Sequence, residues 1–234
     1  MAQVAGNAKN ILVGASPLFI SNVDVTSADY IENAEAGVAI TSGGSVPAFS
    51  TGTSYTDSLN TISSGDFYYR NVGFTNNGLQ ITYNPTYDSV TVDQLLDTAK
   101  LFKSAMEVMI ATEMPEGTLE NVLIVFGQGE NTKSETGTGT SYKETLGIAG
   151  GALGEKPTER QLIAVGQAPT SQGGNDVTAA ERVYYARRVL SVQQSQFSLA
   201  RTTATTFPVN FRLLPDAAYA GSEYGKIIDR VITA

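Results

Sequence analysis

The sequence predicts a mainly β protein with a single α-helix, on three observations. Apolar and polar residues alternate at period two in separate stretches, such as Leu79–Tyr83 and Phe207–Leu213. Ser, Thr and Gly (19, 26 and 23) fill 68 of 234 positions, while charged residues are only 16%, against roughly 25% in an average soluble domain. One segment alone, near residue 120, carries a clean helical stripe.

The elements follow in chain order. Ile11-Leu12-Val13 and Pro17-Leu18-Phe19-Ile20, separated by Gly14-Ala15-Ser16, read as two short strands or one bent strand. Residues 36–40 add a short apolar run. From 41 to 66 the chain is rich in Ser, Thr and Gly, with Val46, Phe49, Tyr55, Leu59 and Ile62 spaced along it. A structureless loop of that length is uncommon in a compact domain, so these apolar residues are expected to order, either in an extended hairpin or by docking on a neighbour.

Residues 67–93 read as strand. Leu79, Ile81 and Tyr83 alternate with Gln80 and Thr82, Asn84-Pro85 breaks the run, and Val90 and Val92 resume it. The pattern predicts a hairpin that turns at the proline and buries one face. Residues 94–112 fit both periods, and propensity favours helix. Residues 115–126 predict a helix: Pro115 and Glu116 stand at its start, Gly127 at its end, and Leu119, Val122, Leu123 and Phe126 form the packing stripe. Residues 127–145 are a polar loop or hairpin tip. Strands are expected at 161–165, 183–192 and 227–232, and the tail from Gln196 alternates for a long distance, with Phe207, Val209, Phe211 and Leu213 on one face and Thr206, Asn210 and Arg212 on the other. The length suits one domain, 1–234, with long loops at 41–66 and 127–160.

Composition removes much chemistry. The chain has no Cys and no His, which excludes disulfides, thiolate metal sites, imidazole ligands and Ser-His-Asp triads. Gly127-x-Gly129 has Thr132 where a dinucleotide loop needs its third glycine, and Lys133-Ser134 lacks the preceding glycine of a phosphate loop. Asn175-Asp176 after two glycines reads as a turn, and pairs such as Glu32/Glu35 and Glu113/Glu116 arise readily among 23 acids. No enzyme activity and no cofactor are expected. Nor is a membrane span, since no apolar run reaches about 18 residues. Met1 to Asn10 carries no apolar segment of the signal-peptide kind, so synthesis in a cytoplasm is expected.

Charge is unevenly spread. Residues 1–150 hold 16 acids and 6 bases, and residues 151–234 hold 7 acids and 9 bases. Such asymmetry suits an acidic patch on one subunit meeting a basic patch on the next. Neighbouring Arg187 and Arg188 in a strand should point to opposite faces.

Three blocks resemble the major tail tube proteins of long-tailed bacteriophages. The first is Val72-Gly73-Phe74-Thr75-Asn76-Asn77-Gly78-Leu79-Gln80-Ile81-Thr82-Tyr83, continuing to Val92-Asp93-Gln94. The second is Met114-Pro115-Glu116-Gly117-Thr118-Leu119-Glu120-Asn121-Val122-Leu123. The third joins Phe207-Pro208-Val209-Asn210-Phe211-Arg212-Leu213-Leu214-Pro215-Asp216 to Tyr224-Gly225-Lys226-Ile227-Ile228-Asp229. In this order they cover under half of the chain. The resemblance implies a β-sandwich or barrel flanked by one helix, with six subunits forming a ring and rings stacking into a hollow tube. It implies a strand, not a helix, at 102–112. It also implies a virion location, DNA in transit without specific binding, a tape-measure protein inside the tube, and terminator and baseplate or tip proteins at its ends.

In such a tube the wall should repel DNA, because a basic wall would hold phosphate. Asp88, Asp93, Asp97 and Glu107 are the candidate lumen-facing acids, and loop 41–66 is the candidate inter-ring contact. The alternative is a non-enzymatic β-sandwich module of a virion that binds a host surface or carbohydrate, with Tyr68-Tyr69 or Tyr184-Tyr185 as its aromatic platform.

Overall fold

The computed structural model describes residues 12, 14, 16–21, 69–95, 97–129, 132–138, 141–154, 156–169, 171–172, 175–176, 180–192, 195–199, 201–202 and 204–231. Loop 41–66, with Val46, Phe49, Tyr55, Leu59 and Ile62, lies outside the described residues, as do Tyr68, Ile11, Val13 and residues 36–40.

The elements are β1 (Leu18–Ser21), β2 (Tyr69–Asn71), β3 (Asn76–Thr91), β4 (Thr98–Met114), α1 (Leu119–Val125), β5 (Lys133–Thr138), β6 (Ser141–Leu146), β7 (Arg160–Gln167), β8 (Ser171–Gln172), β9 (Asn175–Asp176), β10 (Ala180–Ser191), β11 (Phe207–Leu213) and β12 (Gly225–Val231). The protein is mainly β with one helix, as its alternation and composition predict. Eight strands form one antiparallel sheet in the order β2-β1-β7-β10-β11-β4-β3, with β12 also paired to β10. β5–β6 and β8–β9 are separate two-stranded hairpins. Among the described residues the sheet stays open and no barrel closes.

The sheet branches at β10. Ala180–Ala186 pair with β12, whereas Val189–Ser191 pair with β11 on the same edge. A register shift falls between Ala186 and Val189, and a bulge of this kind bends the strand enough for one edge to serve two partners. Gly225 opens β12 at φ 142°, where a Cβ would run into the Tyr185 carbonyl oxygen; only glycine allows β12 to begin so close to β10. At the register shift Arg187 and Arg188 take different partners. Arg187 is buried, its guanidinium 3.5 Å from the Tyr219 ring centre, and Arg188 Nε donates to Glu159 at 2.6 Å.

The core lies where β1, β7, β10, β11 and the inner end of β4 meet α1. Leu18, Leu162, Val189, Val209, Phe211 and Met114 pack there with Leu123, Ile124 and Val125 of the helix. Burying one such side chain contributes roughly 1.5–3 kcal/mol.

The helix is shorter than its pattern predicts. Pro115 to Gly117 precede it without helical structure, and Thr118 caps it by accepting from Asn121 N. Gly127, at φ 65°, closes it, its N–H donating to Ile124 O while Gln128 N donates to Leu123 O. Leu123 is fully buried, Val122 packs half-buried on the core, Leu119 is half-buried, and Phe126 is 36% exposed, its ring 6.4 Å from Phe197. The most enclosed positions also include Ile124 and Asn121, because α1 touches both β11 and β6 and is covered on more than one side. Asn121 holds the helix start to the sheet: its amide donates to Val72 O and Glu116 O and accepts from Arg70.

Two readings left open by the residue pattern are resolved. Residues 98–114 form a strand, as the resemblance implies for 102–112 and against their helical propensity, because β3 pairs along Thr98–Glu113 and β11 along Met109–Met114. Within 127–160, expected as a long loop, residues 133–146 form the β5–β6 hairpin, the alternative offered for that polar stretch.

Candidate functional site

The feature that distinguishes this fold is the β3–β4 hairpin. β4 pairs with β11 only from Met109 to Met114. From Thr98 to Val108 its partner in the sheet is β3 alone. At about 3.3 Å per residue, the hairpin stands out roughly 35 Å from the body. It does not turn at Asn84-Pro85. β3 runs straight through Pro85, which sits opposite Met106, and the turn falls at residues 92–97. β3 is the last strand of the sheet, where a missing backbone donor is tolerated.

Register assigns the side chains to two faces. Ile81, Tyr83 and Pro85 lie opposite Ile110, Val108 and Met106. Beyond a bulge at Ser104, Tyr87 lies opposite Lys103 and Ser89 opposite Leu101 on that same face. This face is apolar and continues into the core, since Val108, Ile110 and Met114 are buried. Farther out nothing in the described chain covers it: Tyr83 is 61% exposed, Tyr87 57% and Leu101 64%. The other face carries Thr82, Asn84, Thr86, Asp88 and Glu107, with Phe102, Val90 and Lys100 toward its end.

The four candidate acids fall in three places. Glu107 sits at the hairpin's base, 3.9 Å from Arg212. Asp88 lies farther out on the polar face, opposite Phe102. Asp93 and Asp97 are exposed in the turn, and Asp97 accepts from Thr98 N. Sequence spacing does not separate these settings, since it says nothing of where the hairpin turns.

At the hairpin's base the branch between β12 and β11 leaves an open groove of about 320 Å³. Its walls include Tyr83, Met106, Tyr184, Leu213, Tyr224 and Ile227. Lys226 lines it, with its ammonium 5.7 Å from the Tyr185 ring, and Lys103 lies 5.6 Å from the Tyr83 ring. Sequence reading identifies Tyr184 but not the groove, which exists only because β10 serves two strands.

Several charges elsewhere are paired within the chain, among them Arg182 and Glu120. Arg182 forms a two-pronged bond to Asp229 at 2.5 and 2.6 Å, which holds the Asp229 carboxyl below its ordinary pKa. Burial pushes Glu120 up, but the Lys133 ammonium bonded to it brings its pKa below the usual value. No group of three or more His, Cys, Asp or Glu side chains placed to hold a metal ion occurs among the described residues. No helix among them is long and apolar enough to cross a membrane.

The molecule is thus a mainly β, antiparallel protein with an open branched sheet and an amphipathic projecting hairpin. The sequence matches no protein-family model and no curated protein significantly.

Proposed function

We propose that this chain is a self-assembling structural protein, the tail tube subunit of a long-tailed bacteriophage. Six copies close a ring, and stacked rings make the hollow tube that conducts DNA during ejection. The observation that carries the reading is the hairpin's uncovered apolar face. A two-stranded hairpin alone in water is marginal at best, and this one exposes Tyr83, Tyr87, Leu101 and Leu95. Packing of that face against further copies would complete a sandwich or barrel across subunits and cover the open edges of β3 and β12. The resemblance of the three sequence blocks to tail tube proteins supports the same conclusion.

In this reading the polar face, with Thr82, Asn84, Thr86 and Asp88, lines the bore and gives DNA a wet, weakly acidic wall. The chain carries no catalytic role, resides in the virion, and meets a tape-measure protein inside the tube and terminator and tip proteins at its ends. A second reading, a carbohydrate- or host-binding module, draws on the aromatic groove around Tyr83, Tyr184 and Tyr224. Negative-stain electron microscopy of the purified full-length chain decides between them. Rings or tubes with a central hole are expected; a monomer at all concentrations that binds glycans overturns the first reading in favour of the second.

A further inference from the structure

The groove at the hairpin's base and the hairpin's tip are complementary in chemistry. The tip carries Val92 at 38% and Leu95 at 57% exposure, with Asp93 and Asp97 on either side of Leu95. The groove is walled by apolar side chains, lined also by Lys226, whose ammonium lies 5.7 Å from the ring of Tyr185 in the same wall, and overlooked by exposed Lys103. Glu223, beside the groove wall at Tyr224, is engaged by the Gly221 amide. The wider surroundings share the polarity. Residues 88–97 hold three acids and no base, and residues 180–231 hold seven bases against four acids.

We propose that the β3–β4 tip of one chain seats in the groove of a second copy, placing Val92 and Leu95 among Tyr184, Tyr224 and Ile227 and Asp93 and Asp97 toward Lys226 and Lys103. The tip cannot fill its own groove, because the paired strands hold it roughly 35 Å away. The contact is therefore head-to-tail: tip and groove are different surfaces, and each copy offers one of each. Such a contact propagates, into a ring if the rotation closes and into a filament if it does not. The proposal rests on the self-assembly reading and adds which two surfaces meet. It assigns Asp93 and Asp97 to a subunit contact and leaves Asp88 as the outer acid on the polar face.

The chain has no cysteine, so introduced thiols report without background. Full-length Leu95→Cys and Ile227→Cys variants are mixed, oxidised and run on a denaturing gel, with the same samples imaged by electron microscopy. The mixture should give a covalent dimer at least about tenfold more abundant than either variant alone, since a disulfide forms only when Cα atoms come within about 7 Å. The double variant should give a ladder. Self-linking of Leu95→Cys as strong as the mixture's overturns the proposal in favour of a tip-to-tip contact. Rings or tubes without the mixed bond overturn the docking and leave the assembly reading standing, whereas monomers without the bond overturn both. A charge swap gives an independent measure that needs no cross-link. Asp93→Lys with Asp97→Lys, or Lys226→Glu with Lys103→Glu, should each raise the assembly concentration about tenfold, and the combined variant should restore it. A combined variant worse than either parent set refutes the pairing.

Discussion

Removing the outer hairpin tests the central claim most directly. Thr86 to Ala105 would be replaced by Asn-Gly, a two-residue turn suited to joining paired strands at Pro85 and Met106. The body should barely notice. The replaced segment contributes no residue to the buried core, whose outermost hairpin member is Val108, with half-buried Met106 packed against it. Its melting temperature should stay within about 2 °C of the parent, as changes at exposed positions cost about 0.5 kcal/mol or less. Assembly should collapse. Of the surface to be covered, the deletion takes away Tyr87, Val92, Leu95 and Leu101, which are 38–64% exposed in the single chain. Full burial of such a side chain contributes roughly 1.5–3 kcal/mol, so covering the exposed half of each gives about 1 kcal/mol. Even if ordering costs cancel a third of that gain, about 2.7 kcal/mol per contact is lost, roughly a hundredfold in association constant. Sedimentation velocity across a concentration series, with microscopy of the same samples, measures it. A truncated chain that melts like the parent and still forms tubes at the parent's concentration would refute the role given to the hairpin.

Leu123→Ala should destabilise the chain by roughly 2–5 kcal/mol, because the side chain is fully buried beneath α1, and a thermal melt without a loss of several degrees would contradict that packing. Acidification has a defined sign. Asp229 titrates below its ordinary range beside Arg182, so its contribution is complete above about pH 4 and is lost as pH falls through the lowered value. The pair is partly solvated, so the effect is at most about 1 kcal/mol, and an Asp229→Asn variant should show a flatter melting profile between pH 5 and pH 3, about the range in which a carboxylate of this kind charges. Asp88→Lys should leave rings intact and slow DNA passage in assembled particles, most strongly at low salt, where screening lengths exceed the roughly 8 Å of physiological conditions; equal ejection times at two ionic strengths would remove electrostatics from the wall's action.

Sequence alone determined the elements whose burial pattern repeats within a few residues. Phe207, Val209, Phe211 and Leu213 announce β11, and in the structure they alternate buried with Pro208, Asn210 and Arg212 outside. Gly127 marks the end of α1, because a left-handed residue there satisfies the last carbonyls whatever surrounds it. What only tertiary structure decided depends on partners distant in the chain. Residues 98–114 become a strand because β3 and β11 supply hydrogen bonds that local propensity knows nothing of. Pro85 sits inside a strand, not at its end, because β3 is an edge and needs no donor there. The groove arises from a bulge that lets β10 pair with both β11 and β12. The hairpin's apolar face was legible as a pattern, and the pattern predicts burial. Among the described residues nothing covers that face: the alternation records a surface to be covered, while only the three-dimensional arrangement determines whether the cover lies in the same molecule.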